Sequence, residues 1–282
     1  MKKFFLPMLV IGILAFASGR AAAKVGITVT PKIWFSVENF NALENALLSN
    51  TATNRQISVR EQVNIPLGGA AIAFHPADAP IDFLFNFYSG ETDGPFFVAD
   101  TGNSAGGDPG DNGNIINGTY ELKRIDVEFL IRYLPKDKPW NLFTGIRINN
   151  FEDSQTITTP GFTWNASNSK SLETETTILL WEFGAGFQAP IDEAGVHRFF
   201  GNTTIGFGSF KSEFDNATTG NENLIEGAAA AWDINTGYEL FLGDNFSFSA
   251  RYRMYARPTS PVDDGYNLTV IHGPDFGASL RF

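Results

Sequence analysis

Ionisable residues recur at every second position in several short stretches of this chain: Arg124, Asp126, Glu128 and Arg132, then Arg251 and Arg253, then Asp275 and Arg281. Residues i and i+2 of an extended strand share one face. This spacing therefore aligns groups of both signs on one side of a sheet. The same parity adds Lys32, Glu38, Asp82, Arg147, Glu182, Asp233 and Glu239. Enclosed together, such groups either pair into a salt-bridged filling or line a narrow passage whose charge preference they set.

Other chemistry is sparsely provided for. The chain has no cysteine, which removes disulfides, thiolate metal sites and thiol nucleophiles together. Its three histidines are His75, His197 and His272, and none lies in a recognisable nucleophile–base motif. No enzyme activity is expected. The stretch 91–118 gathers Asp100, Asp108, Asp111, Asn112 and Asn114 among glycines, but the spacing does not fit a calcium loop. It is read as a solvated surface loop, with no cofactor or metal assigned.

The elements that carry the charged face alternate with period two. Ile33, Phe35 and Val37 oppose Lys32, Ser36 and Glu38, and only Trp34 stands out on the polar side. Phe83, Phe85 and Phe87 oppose Asp82, Leu84 and Asn86; Ile125, Val127, Phe129 and Ile131 oppose Arg124, Asp126, Glu128 and Arg132. Phe246, Phe248, Ala250, Tyr252 and Met254 oppose Ser247, Ser249, Arg251 and Arg253. Softer strands are expected near 57–74, 140–151, 173–189, 196–211 and 224–241, with a bulge at Pro66-Leu67-Gly68-Gly69. The connections alternate too. Short turns at His75–Pro80, Pro135–Lys138, Pro190–Gly195 and Gly243–Asn245 separate long polar stretches at 39–55, 91–118, 152–172, 212–222 and 258–266. Segment 40–48 has the spacing for one or two helical turns.

The N-terminus reads as an export signal. Lys2 and Lys3 precede an apolar run from Phe4 to Phe16, and Ala21-Ala22-Ala23 supplies small residues for cleavage. The run is too short to span a bilayer as a helix. Residues 1–23 are thus expected to be a signal peptide, and 24–282 a single domain. Losing Lys2, Lys3 and Arg20 takes the formal net charge from −11 to −14, which disfavours nucleic acid as a partner. The 27 Phe and 28 Gly, with mean hydropathy near zero, suit a sheet with one lipid face and one wet face.

Alternating strands, short turns opposite long loops and a last strand running Phe276, Ala278, Leu280, Phe282 together resemble a Gram-negative outer-membrane β-barrel. The resemblance covers essentially the whole of 24–282. It implies an all-β, antiparallel transmembrane barrel of about ten strands, with eight or twelve as alternatives, short periplasmic turns and long extracellular loops. It also implies outer-membrane lipid and lipopolysaccharide as surroundings, recognition of the strand ending at Phe282 by the barrel-assembly machinery, and a monomer. The implied function is a narrow channel or a structural barrel with a charged lumen; a surface adhesin or receptor acting through its loops is the alternative, and a lipid-modifying or proteolytic enzyme the third. Proline cannot donate to a strand ladder, so Pro31, Pro66 and Pro274 mark a candidate irregularity where the first and last strands meet.

Overall fold

The computed structural model describes residues 25–40, 47–50, 53–56, 61–77, 79–99, 115–158, 162–164, 171–216, 221–259 and 267–282. The expected signal peptide and the acidic cluster from Asp100 to Asn114 lie outside them. Ten long strands form the wall: β1 (Val25–Phe40), β4 (Glu61–Pro76), β5 (Ile81–Ala99), β6 (Ile115–Tyr133), β7 (Trp140–Ile157), β9 (Ser171–Pro190), β10 (His197–Asn216), β11 (Asn221–Phe241), β12 (Phe246–Thr259) and β13 (Asn267–Arg281). They close in the order β1-β13-β12-β11-β10-β9-β7-β6-β5-β4, every neighbour antiparallel. Three short strands, β2 (Leu47–Asn50), β3 (Thr53–Gln56) and β8 (Phe162–Trp164), form a separate small sheet.

The outer wall is apolar because the alternation puts it there. Phe129, Ile146, Phe183, Ile205, Phe207 and Phe276 are all exposed, Phe207 to 60%. Such a belt is stable only against hydrocarbon. Aromatic rings gather toward the short-turn end, where Tyr133 meets Trp140 and Phe187 meets Phe199, with ring centroids 6.4 and 5.7 Å apart. Aromatic rings at the ends of an apolar belt are the girdle of a membrane-spanning barrel.

Two expectations need correction. The polar stretches are shorter loops than expected, because the strands continue into them. The β5–β6 ladder runs on from Gly90↔Arg124 to Ala99↔Ile115, and β10–β11 reaches Asn216↔Asn221. A strand of 21 residues such as β11 spans about 70 Å, far more than about 30 Å of hydrocarbon requires. In these extensions the inward side stays buried, as at Phe96, Leu122, Gln155 and Ile157, while the outward side turns polar. Most of segment 40–48, where helical turns are expected, lies outside the described residues; Phe40 ends β1 and Leu47 begins β2, which pairs with β3 and β8. Finally, there is no bulge at Pro66. The register of β4 on β1 is unbroken from Val25↔Pro76 to Phe40↔Glu61. What stops is the other ladder: β4 pairs with β5 only from Phe74↔Phe83 to Gly68↔Ser89. Just beyond, Gly90 lets the Pro66 carbonyl approach to 2.3 Å of where a Cβ would stand.

Candidate functional site: the filled lumen

The core of this fold is the inside of the barrel, and it is layered. Nearest the short-turn end, Asp82 of β5 is held by Arg132 Nη2 of β6 at 2.6 Å and by His75 Nδ1 of β4 at 2.9 Å. Across the mouth, Arg281 Nη2 lies 3.6 Å from Glu239 Oε1, to which Ser247 also donates (2.7 Å). Above them is a cavity of about 220 Å³, lined in part by Thr30, Lys32, Ala71, Ala73, Asn86, Arg251 and Ser279. Lys32 Nζ donates to Asn86 Oδ1 at 3.0 Å, and Asn86 Nδ2 donates to Glu128 Oε2 at 2.6 Å.

The ceiling of that cavity is an ion-pair layer at mid-height. Arg147 of β7 is 2% exposed and reaches three carboxylates: Glu128 of β6, Glu182 of β9 (Nε to Oε1, 3.0 Å) and Asp233 of β11 (Nη2 to Oδ2, 2.8 Å). Arg253 chelates Asp233 from β12, its Nε 3.2 and 3.1 Å from the two oxygens. Arg251 donates to Asp275 Oδ2 (2.6 Å) and to the Tyr88 hydroxyl (2.8 Å), and Tyr88 donates to Asp275 Oδ2 at 2.7 Å. Tyr88 stands on β5 and Asp275 on β13, so this triangle spans the lumen.

One turn of side chains higher, guanidinium groups alternate with rings. Arg124 lies 5.1, 5.2 and 5.7 Å from the ring centres of Trp34, Phe151 and Tyr255. Arg253 lies 4.8 Å from Trp34, Arg147 4.8 Å from Tyr255, and Arg257 3.5 Å from Phe151. Arg124 is bidentate on Asp126, whose Oδ1 also accepts from Asn149, and Tyr255 donates across to Asn149 Oδ1 at 2.6 Å. Trp34 Nε1, Arg124 Nη1 and Arg147 Nη1 have no hydrogen-bond partner among the described residues. Desolvated cations over ring faces gain about 2 kcal/mol each, which offsets such losses. Toward the long-strand end aliphatic and aromatic side chains join the filling, with Val63, Ile65, Leu67, Ile178, Leu180, Phe210 and Ile271 buried beside the polar Ser36, Glu38, Gln155 and Arg257.

All fifteen residues aligned by parity lie at inward-facing positions; fourteen make the contacts above, and Glu38 Oε1 lies 3.6 Å from Arg257 Nη2. The period-two count missed the residues that join them. Trp34 stood out in the sequence only as misplaced; it is fully buried as the ring between Arg124 and Arg253. Tyr255 and Arg257 continue the parity of Arg251 and Arg253 and are legible once β12 is extended. Sequence gave no partner to any histidine, whereas the adjacency of β1, β4 and β5 supplies two to His75. Its Nε2 lies 3.0 Å from Thr28 Oγ1 and its Nδ1 faces Asp82. His197 and His272 instead contact Tyr238 and Tyr252 on the wall.

A closed ten-stranded antiparallel barrel with an apolar belt and an ionic interior is the fold of Gram-negative outer-membrane β-barrels. The outer membrane protease OmpT from Escherichia coli has this architecture, with TM-score 0.54 at 8% identity over 93% of this chain and 99% of that one. The translocator domain of autotransporter NalP from Neisseria meningitidis aligns with TM-score 0.49 at 10% identity, over 98% of this chain and 95% of that one. The β domain of the Bordetella autotransporter BrkA gives 0.44 at 13%, over 92% and 99%. No family model matches the sequence, and no curated protein matches it. At such identities the likeness defines the fold alone.

Proposed function

We propose that this protein is a non-enzymatic, monomeric barrel of the bacterial outer membrane whose lumen is closed at mid-height. Its wall is surrounded by outer-membrane lipid and lipopolysaccharide, and the strand ending at Phe282 is the element the assembly machinery would engage. The observation that carries the reading is Arg147, buried and shared by Glu128, Glu182 and Asp233 from three other strands. A cation so committed is part of a seal, since an ion in transit would have to displace it from all three carboxylates. The test is single-channel recording of the refolded barrel in planar bilayers. Wild-type protein should be silent across salt and voltage, while Arg147→Gly combined with Trp34→Ala should give discrete, salt-dependent steps. Steady wild-type openings would overturn the closed reading in favour of a narrow channel.

One observation favours an enzyme instead. Thr28, His75 and Asp82 stand in the hydroxyl, imidazole, carboxylate order of general-base activation. The proposed role of this chain is to tie β1, β4, β5 and, through Arg132, β6 together at the mouth. Incubation with a fluorophosphonate probe decides between the two: Thr28 should remain unlabelled, and labelling abolished by His75→Ala would establish a hydrolase.

A further inference from the structure

Along the seam between the first and last strands the wall is broken in two places. The β1–β13 ladder pairs Val29↔Leu280 and next Lys32↔Gly277, skipping Thr30 and Pro31 opposite Ser279 and Ala278. It breaks again between Trp34↔Asp275 and Val37↔His272, opposite Pro274 and Gly273. On their other sides both strands are continuous: Pro31 pairs with Ala70 of β4 and Pro274 with Tyr252 of β12. The two missing proline N–H groups therefore fall on this seam. Gly273, at φ 153°, brings its backbone against the Phe35 carbonyl, 1.9 Å from where a Cβ would stand.

At the lower break the backbone ladder is replaced by one side-chain bond, Thr30 Oγ1 to Ser279 Oγ at 2.8 Å, on the lumen side. Outside the same break is a groove of about 600 Å³. Small Pro31, Ala250 and Ala278 leave the space between Tyr238, Phe248 and Phe276. Lys32 and Ser249 border both this groove and the 220 Å³ cavity inside. Lys32 makes one hydrogen bond, to Asn86, and no ion pair among the described residues. Its ammonium has three donors, so two remain for a ligand.

From this geometry we infer that the β1–β13 seam at Thr30–Ser279 is a side entrance for a single-chain anionic amphiphile. Its acyl chain occupies the outer groove and its carboxylate passes between the strands to Lys32. The inner cavity suits a head group, and the apolar groove suits a chain. The two sites are joined where the wall lacks backbone hydrogen bonds. The entrance goes beyond the closed-lumen reading and rests on it only in that the axial route is sealed.

The chain has no cysteine, so Thr30→Cys with Ser279→Cys gives a lock that can be oxidised or reduced in otherwise intact protein. The probe is hexadecanoate carrying a diazirine beside its carboxylate, added to barrels in phosphatidylcholine vesicles and mapped by mass spectrometry. With the lock reduced, adducts should form at Asn86 and Tyr88. With it oxidised, these should fall to background while adducts at Phe276 persist. Lys32→Gln should lower the Asn86 and Tyr88 adducts about tenfold for the carboxylate, the worth of one charged hydrogen bond, and leave those of the matching hexadecanol probe unchanged. Lumen adducts that survive oxidation would overturn the entrance, and an equal loss for acid and alcohol would overturn the role of Lys32. Current through wild-type barrels in the same lipid would instead count against the sealed lumen, so the two readings fail separately.

Discussion

The two halves of the lumen are enclosed by the same ten strands and filled in opposite ways. The half toward the long strands is packed with rings, guanidinium groups and aliphatic side chains; the half toward the short turns holds a cavity and small residues such as Ala71 and Ala73. The difference follows from side-chain volume at inward positions. On β4 those positions read Val63, Ile65, Leu67 above and Gly69, Ala71, Ala73 below. A barrel of this size has an interior that side chains can just fill, so replacing aliphatic residues by glycine and alanine hollows one half without changing the wall. Closure and hollowness are thus separable properties.

The comparison can be broken hardest at the boundary between the halves. Arg147→Ala removes the cation that three buried carboxylates share, and should cost about 3–5 kcal/mol, read as a lowered urea midpoint of the barrel in lipid. An unchanged midpoint would mean that the layer is decoration rather than a seal. Within the filled half, Trp34→Ala leaves a cavity between Arg124 and Arg253 and should cost about 3–5 kcal/mol by the same measurement. Within the hollow half, Ala71→Leu adds volume where space already exists, and the midpoint should move by less than about 1 kcal/mol. A loss as large as that of Trp34→Ala would show that the lower half is packed after all.

The smallest effect lies outside the membrane, at the turn after β9. Asp192 accepts from the backbone N–H groups of His197 (2.9 Å) and Val196 (3.3 Å), and the hydrogen bond from His197 foremost holds its carboxyl below the ordinary range. A folded-state value below the unfolded one stabilises above about pH 4 and loses that contribution as pH falls through the folded value. The melting temperature of wild type should therefore slightly exceed that of Asp192→Asn at neutral pH, and the gap should close in acid. A gap independent of pH would assign the effect to shape rather than charge.

Much of the wall was legible because a lipid-spanning strand must alternate: Ile125 to Arg132 and Phe246 to Arg253 announce both strand and facing. Strand ends were not, because the outward positions there are polar, as at Glu152 and Lys211, and the inward ones are mixed, as at Asp153 and Gln155, so the apolar alternation is lost. The members of the lumen network were legible from parity, but not their partners. Whether Tyr88 meets Asp275 or Tyr255 meets Asn149 depends on how far each strand is staggered against the next around the ring, and no local pattern encodes that sum. The same limit hid the neighbours of His75, which come from strands on either side.

Phe282 and Ile27 exchange backbone hydrogen bonds, N to O at 2.9 and 3.2 Å. Every other joint in the wall joins strands that are successive or separated by one or two short strands, whereas this one joins residues some 255 positions apart. Loop-closure entropy grows with the logarithm of that separation and reaches about 5 kcal/mol here. The seam thus carries the greatest contact order in the molecule, and its ladder is broken in two places. Folding should be limited by the meeting of the first and last strands, and spontaneous opening should begin at that same line.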